Sequence, residues 1–354
     1  DFRFGVGVYY KPLLSFEGKY REEIRNNRNT DNDGYPEKIA QNDINNEGLL
    51  NQMGFVYSMA YSLGEYTDLN IGIDYSLLNA DISQMKTIQW TQWAVDKVRA
   101  VNPSYTLPNF TEETKWDLSG SQMKLGTSVR LNPRFGVAAT YTMKATLDRD
   151  ASYYRYRDAY RTTAADSVNT KLSDDYTLPS EIRVGFSYFP RNVMRTVFNM
   201  DLEMVKYSDV MDVFDDAYNL YVGVEHHIDK RIPLRLGFQA VNSYLLNTQQ
   251  GVDSQGNAVT LYDTKKIITP MITAGSSVQL AKRWVLDLGF GYAWREYEDL
   301  DLFGDGYYND RTYTGTGYIL WPNTYINLQD RGWANPDKVR ENYITLNAGV
   351  SFSW

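Results

Sequence analysis

Strict alternation of apolar and polar residues recurs along this chain and is the feature that most limits its fold. The C-terminal stretch NYITLNAGVSFSW shows it clearly: from Ile344 to Trp354 every second residue is apolar, and the residues between are small or polar. A period of two predicts a β-strand with one apolar and one polar face. The question is which of these two faces looks outward.

The same alternation predicts about twelve strands in the 354 residues. Gly and Ser are common on the polar faces, and Arg, Lys, Asp or Glu accompany them in many of the segments. The segments are 2–10, 55–63, 69–77, 123–131, 135–143, 182–188, 198–204, 220–224, 234–238, a weaker one near 266–280, 284–292 and 344–354.

The connections between these segments alternate between short turns and long polar stretches. The short ones are GEYTD, NPR, FPRN, IDKR and AKR. The long ones are 22–47, 84–116, 147–177, 246–265 and 297–340. Brief turns on one side and long loops on the other are typical of outer-membrane barrels, with periplasmic turns and extracellular loops.

We therefore predict an all-β fold, a single transmembrane antiparallel β-barrel domain over residues 1–354. Its apolar face looks out to lipid, and aromatic residues near the strand ends form the interfacial girdles. The terminal Trp354 resembles the C-terminal aromatic residue by which barrel assembly machinery recognises its clients. A soluble β-sandwich or propeller is the alternative. Loops of about thirty residues on one side only argue against that alternative.

Composition excludes several other classes of protein. There is no Cys, so the chain has no disulfide framework, no thiolate chemistry and no zinc ribbon. The net charge of −8 gives no basic field for nucleic acid. No run of eighteen apolar residues is present, so ordinary membrane-spanning helices are excluded.

Four stretches resemble the FadL-type family of outer-membrane transporters for long-chain fatty acids and other hydrophobic compounds. Each stretch is a loose match, and the resemblance comes from their order and spacing along most of the chain. They are FRFGVGVYYKPLLSFEGKY, LPSEIRVGFSYFP, FNMDLEMVKYSDV and DAYNLYVGVEHHIDKRIPLRLGF. Members of the family begin with an N-terminal hatch and two strands before the first stretch, and these are not present here. The resemblance thus implies about fourteen strands in the complete protein, or else a variant without the hatch.

The resemblance implies a location in the Gram-negative outer membrane and passive uptake of a fatty-acid-like hydrophobic small molecule. Substrate would adsorb on extracellular loops, enter the barrel and leave sideways into the bilayer, without a cofactor. Membrane lipids and lipopolysaccharide are the expected surroundings. The alternative is a non-transporting accessory or scaffold subunit of a secretion or assembly complex, which would dock partner proteins through loops 84–116, 147–177 and 297–340. An aqueous porin is a third reading.

The stretch YYKPLLSF contains the candidate lateral exit. Pro12 has no N–H to donate and distorts a strand that it interrupts. In the family the corresponding strand is kinked and leaves a gap in the barrel wall. Pro12, Leu13, Leu14 and Phe16 are therefore candidates to line that gap, and the alternative is that the strand simply ends near Pro12.

The stretch MKTIQWTQWAVDKVRAV, residues 85–101, has the best helical periodicity in the chain. Its apolar residues fall on two faces, which predicts a helix that packs on the barrel mouth and also presents an apolar surface. Because the family captures lipophilic substrate on its loops, Trp90 and Trp93 are candidate substrate contacts. A loop helix that only braces its neighbours is the alternative.

Charged residues are expected to face the lumen in many strands. A cation there could hold a fatty-acid carboxylate, so Lys124, Arg183 and Arg235 are candidate contacts. The alternative is that the charges pair across the barrel and fill it. The predicted lumen charges are Lys124, Arg130, Lys144, Arg183 and Arg235 against Asp74, Asp201, Glu203, Glu225 and Asp287.

Catalytic and metal motifs are weak, and we predict neither an enzyme nor a metal site. The two histidines, His226 and His227, are adjacent and so point to opposite faces of a strand. NTDNDG at 29–34 resembles a calcium loop, but Ala40 stands where a bidentate Glu is needed. DLDLFGDG at 299–306 follows no recognised pattern, and G-x-S-x-G is absent.

Overall fold

A computed structural model of the chain describes residues 2–25, 38–64, 67–101, 103, 107, 109–158, 165–191, 195–228, 232–252, 258–281, 283–299 and 337–352. Within these ranges sixteen strands form one antiparallel sheet. The helix α1 spans Gln92–Val101, and a 3-10 turn covers Tyr207–Asp209. Among the described residues, no helix has the length and apolar character needed to cross a membrane.

The strand bounds show how far each strand extends along the chain. The strands are β1 (Phe2–Ser15), β2 (Gly18–Arg25), β3 (Lys38–Glu47), β4 (Leu49–Ser62), β5 (Asp68–Trp90), β6 (Phe110–Asn132), β7 (Phe135–Thr142), β8 (Ala145–Arg157), β9 (Asp166–Leu178), β10 (Ser180–Tyr188), β11 (Thr196–Lys206), β12 (Ala217–His227), β13 (Pro233–Val252), β14 (Ala258–Ala281), β15 (Trp284–Asp299) and β16 (Asp337–Phe352).

These strands occupy twelve positions across the sheet, in the order β1-β4-β5-β6-β7-β10-β11-β12-β13-β14-β15-β16. The other four extend existing positions. The pair β2–β3 continues β1 and β4 beyond a short break, and β8–β9 continues β7 and β10 in the same way. The prediction of about twelve strands in one antiparallel sheet is confirmed. No pairing joins β1 to β16 in the described residues, so closure of the barrel stays a prediction.

The long polar stretches were predicted as loops, and most of them are instead tall hairpins. β5 and β6 have 23 residues each, and β14 has 24. About 9–11 residues suffice for a tilted strand to cross a membrane, so these strands rise well beyond it. The sequence of their upper parts alternates less regularly, and pairing with neighbouring strands, which the sequence pattern does not reveal, makes these parts extended. Residues 300–336, in the last predicted loop, lie outside the described residues, as does Trp354.

The apolar faces of the strands look outward, as predicted. In β15, Leu288 and Phe290 are 49% and 44% exposed, while Gly289 and Gly291 lie on the inner face. Leu346 of β16 is 77% exposed. Such a continuous apolar exterior on a sheet of this size is a lipid-facing surface.

Aromatic side chains mark both edges of this apolar exterior. Phe135 stacks on Tyr188 near the short turns, with ring centroids 5.0 Å apart. Tyr292 stacks on Trp294 at the other edge, with centroids 5.7 Å apart. Trp284 and Trp294 are ten residues apart on β15, which for a tilted strand is roughly 25 Å of height. That height matches the apolar band of an outer-membrane barrel.

The outward face of β15 gives a direct test of the assigned orientation. Leu288→Arg should destabilise the folded protein by about 2–4 kcal/mol, because an arginine near the bilayer midplane loses water without gaining a partner. The matched change Gly289→Ser, one residue along on the inner face, should have a much smaller effect. The free energies are measured by denaturant titrations of refolding into lipid vesicles. Equal or reversed effects would overturn the assigned faces.

Candidate functional site

An apolar cluster fills part of the interior at the level where the strands break. Its members face inward and are shielded, with Leu50 and Leu147 fully buried. In β4 and β5 they alternate with outward residues such as Met53 and Leu77, which are 41% and 47% exposed. The buried members are Leu50, Leu78, Ala80, Ile82, Leu118, Ala145, Leu147 and Leu178, and Leu13, Phe16, Trp116 and Tyr176 pack against them.

Breaks in four strands shape the wall around this apolar cluster. One break lies at Gly48, where φ is +128° and a Cβ would come within 2.5 Å of the Asp81 carbonyl oxygen. Only glycine fits that position. The Phe16 N–H donates to the Gly48 carbonyl at 3.0 Å, so β1–β2 and β3–β4 break side by side. A second pair of breaks lies between β7 and β8 and at Pro179 between β9 and β10.

Of the four residues predicted for the lateral exit, Pro12, Leu13 and Leu14 lie at the top of β1, and Phe16 follows the end of the strand. Pro12 is inside the strand and pairs with Asn51, and the register shifts between Pro12 and Leu14. Leu13 and Phe16 pack against the apolar cluster, whereas Leu14 is 39% exposed. The Phe16 ring meets Trp116 edge-on, with centroids 6.4 Å apart. The irregular register of β1 thus occurs beside residues that contact the apolar cluster. The role of these four residues as a lateral exit stays a prediction.

The helix predicted over 85–101 is wrong in its first part. Residues 85–90 belong to β5, where they pair with β3 on one side and, from 85 to 88, with β6 on the other. Backbone hydrogen bonds to two neighbouring strands outweigh the local preference of these residues for a helix. The helix begins after Thr91, whose hydroxyl accepts from the Ala94 N–H at 3.3 Å and caps it.

The two candidate tryptophans are therefore on different elements. Trp90 is the last residue of β5, and Trp93 lies in the first turn of α1. The Lys97 ammonium lies 5.3 Å from the centroid of the Trp93 ring. Their role as substrate contacts stays a prediction, and they do not share one helical face.

Arg183, a candidate for holding a carboxylate, already has two acidic partners. Its guanidinium lies 2.8 Å from Glu203 and 3.9 Å from Asp201, both on β11. It also covers the ring of Tyr221, 4.2 Å from the ring centroid. These contacts come from the neighbouring strands rather than from across the barrel.

Glu203 is the centre of this buried polar group and is only 6% exposed. Besides Arg183, its carboxylate accepts from the Asn219 amide at 2.9 Å and from the Tyr221 hydroxyl at 2.7 Å. Asn219 in turn accepts from the Asn242 N–H at 2.8 Å. The group ties β10, β11, β12 and β13 together on the inner side of the wall. A buried charge requires such partners.

Arg235 is held in a second group of the same kind. Its Nε donates to Glu225 at 2.7 Å, and its Nη1 donates to Ser277 at 2.7 Å and to Asp287 at 3.2 Å. Ser277 also donates to Asp287. Two carboxylates thus face one guanidinium, as they do at Arg183.

Lys124 is placed differently from the two arginines. It lies in register with Asp74 on β5 and with Thr142 on β7. Asp74 accepts from the Tyr9 hydroxyl at 2.7 Å. Within the described residues, no hydrogen bond or salt bridge joins Lys124 to a carboxylate. Sequence reasoning placed all three cations on the inner face but did not identify their partners.

A cavity of about 760 Å³ lies on the inner side of β11 to β16. It was not predicted from the sequence, although the glycines on the polar faces of successive strands were a signal for it. Tyr221, Arg235, Met271 and Asp287 are among the residues that line it. The glycines of its lining include Gly223, Gly237, Gly275, Gly289, Gly291 and Gly349. The interior therefore has a packed apolar cluster near the strand breaks and a glycine-lined cavity along β11 to β16.

No protein-family model matches the chain, and no curated protein does. Among solved structures, the P. putida toluene transporter TodX is 13% identical, with a TM-score of 0.53, and the match covers 100% of this chain and 80% of TodX. A TodX deltaS2S3 mutant, described as a monoaromatic hydrocarbon channel, is 13% identical with a TM-score of 0.51, covering 99% and 79%. A Pseudomonas aeruginosa FadL homologue is 8% identical with a TM-score of 0.49, covering 99% and 88%.

The two TodX structures match the present sheet over almost its full length. At this level of identity the likeness concerns the fold, and it agrees with the apolar exterior, the short turns and the tall hairpins described above. The chain therefore shares the outer-membrane β-barrel fold seen in the two TodX structures.

Proposed function

We propose that this protein is an outer-membrane channel for passive uptake of uncharged hydrophobic small molecules. The observation that carries the proposal is the apolar cluster on the inner face of the barrel wall. The interior of outer-membrane barrels is ordinarily polar, so an interior region of leucines and aromatic rings suits an apolar solute. The names of the structural neighbours, which are hydrocarbon channels or transporters, support the same class of function.

The proposed route needs no cofactor and no energy source. A lipophilic compound adsorbs on the tall hairpins, where Trp90 and Trp93 offer apolar surface, and reaches the apolar cluster from above. It leaves sideways into the bilayer beside Pro12, where the register of β1 shifts. Leu13 and Phe16 connect this irregularity to the apolar cluster.

The charge arrangement around the two arginines favours an uncharged compound over a fatty acid. Arg183 and Arg235 each face two carboxylates, so each group is negative before a substrate arrives. A fatty-acid carboxylate would have to displace one of these partners and would meet repulsion from the other. A neutral solute meets neither penalty.

This preference can be tested by comparing two compounds of equal chain length, an alkane and a fatty acid, in uptake assays with reconstituted vesicles. The protein should favour the alkane. Removing two charges in Glu225→Gln/Asp287→Asn frees Arg235 to bind an anion, so fatty-acid uptake should rise relative to the alkane. Asp175→Asn, an exposed change on β9, is the control. A native preference for the fatty acid would contradict the assignment of an uncharged substrate.

The lateral exit is tested at Pro12. Pro12→Val restores a backbone donor and a strong strand former, so the irregularity in β1 should narrow and uptake of a lipophilic compound should fall. Stability of the barrel should stay the same or rise. Leu14→Trp should also reduce uptake by filling the gap, while Leu63→Trp, at an exposed position after β4, should not. Unchanged uptake in both Pro12→Val and Leu14→Trp would contradict a lateral exit at this position.

A second candidate function, as an accessory subunit of an outer-membrane complex, draws on the tall hairpins. β5, β6, β8 and β9 extend beyond the apolar band and present a broad polar surface to a partner protein. Purification in mild detergent separates the two functions. A stoichiometric protein partner supports the subunit, and copurifying lipophilic molecules support the channel.

A further inference from the structure

The wall of the sheet has a notch above β11 and β12. β11 ends at Lys206 and β12 begins at Ala217, so both strands stop far below their neighbours. On one side of the notch, β9 pairs only with β8 in the described residues. On the other side, β13 pairs with β12 only as far as Ala240 and continues upward with β14 alone. Three strand spacings separate β10 from β13, which is about 14 Å.

Residues 207–216, here called the strap, fill this notch. On the β10 side, the Asp209 carboxylate accepts from the Ser180 N–H at 3.1 Å and from the Ser180 hydroxyl at 2.5 Å. Lys144, in the break between β7 and β8, donates to the Asp209 carbonyl at 2.8 Å. On the β13 side, the Tyr207 hydroxyl donates to the Asn242 carbonyl at 3.3 Å. The strap therefore bridges both sides of the notch.

The strap is held by side-chain contacts and not by a strand ladder. The ring of Tyr207 lies 6.3 Å from Phe214 and 5.3 Å from Tyr244, and Phe214 lies 5.5 Å from Tyr244. The Ser208 hydroxyl donates to Asp216 at 2.7 Å. A segment without a backbone ladder to its neighbours opens at lower free energy than the paired strands around it.

The strap separates the interior from the outer surface at the top of the apolar band. Asp209 of the strap binds Ser180, which lies two residues from Leu178 of the apolar cluster, and Tyr207 follows Glu203 of the buried polar group by four residues along the chain. Directly below the strap, Ile182 and Tyr218 are outward-facing and 40% and 57% exposed. Displacing the strap would thus join the apolar cluster to the lipid-facing side of the wall.

We propose that the strap closes a second lateral window, through which a lipophilic compound passes between the apolar cluster and the outer leaflet. The window rests on the proposed channel function and lies on a different part of the wall from Pro12. Asp209 is its latch, because it is the residue that binds the strap to both strand breaks on the β10 side.

The latch is stable at neutral pH. The hydrogen bonds from Ser180, opposed by partial burial and assisted by Lys206 and Lys144, hold the pKa of Asp209 below its usual range. A lowered carboxyl pKa contributes stability above the unfolded pKa, and that stability is lost as the pH falls through the lowered value. The window is therefore closed by default.

The first experiment locks the strap in place. The chain has no cysteine, so Ser180→Cys/Asp209→Cys introduces a unique pair that a short, reducible bis-methanethiosulfonate reagent can bridge. Locking should lower the uptake of a lipophilic dye into vesicles in part, because the route beside Pro12 stays open, and reduction of the bridge should restore it. Ser62→Cys/Asp68→Cys is the matched control, because Ser62 donates to Asp68 at 2.7 Å across a turn far from the strap. Unchanged uptake in the locked protein would overturn the proposal.

The second experiment does not depend on transport. In a Val205→Cys background, with the cysteine buried beneath the strap, labelling by a maleimide dissolved in the bilayer reports opening of the window. Asp209→Ala should speed labelling several-fold, whereas Asp212→Ala, an exposed change on the same strap, should not. If Asp209→Ala speeds labelling but the native protein takes up no lipophilic compound, the channel function is contradicted and the window is supported. If the native protein takes up the compound and neither the cysteine bridge nor Asp209→Ala has an effect, the channel function is supported and the window is contradicted.

Discussion

Backbone pairing between neighbouring strands is the constraint on which this structure depends. Lipid offers no hydrogen-bond partners, so a chain that crosses it with strands must pair every backbone group with a neighbour. That requirement turns a period of two in the sequence into a lipid-facing exterior and an inner wall. The same ladder carries the hairpins β5–β6 and β13–β14 above the membrane, where the sequence itself alternates less regularly.

The parts of the fold within the membrane could be predicted from the sequence, because lipid imposes a local rule on each strand. Alternation places Leu288 and Leu346 on the apolar face of their strands, and the long loops on one side only assign that face to lipid. Residues 85–90 could not be assigned, because their conformation is decided by β3 and β6, which lie far away in the chain. The partners of Arg183 and Arg235 could not be predicted for the same reason. The spacing of residues along a strand predicts which face a side chain occupies, but it does not predict the register between neighbouring strands.

The interior combines two environments that act together on a solute. The apolar cluster offers a lipophilic compound an environment like that of a membrane, whereas the acid-rich groups around Arg183 and Arg235 leave the arginines occupied. These groups also join strands β10 to β15 by side-chain bonds on the inner side. The same contacts therefore stabilise the barrel wall and disfavour the binding of an anionic solute at these two arginines.

The glycine-lined cavity makes the inner wall adaptable. A Cβ added at Gly223 would meet no atom closer than 3.8 Å, and one at Gly289 none closer than 3.6 Å, both ordinary contacts. At Gly237 the nearest atom, the Thr273 hydroxyl oxygen, would be only 2.5 Å away, so a larger residue there requires the Thr273 side chain to move. Substitutions at the open positions can reshape the lumen while every backbone bond of the ladder stays in place. Single substitutions at these open positions can therefore change which solutes the lumen accepts without altering the strands of the barrel.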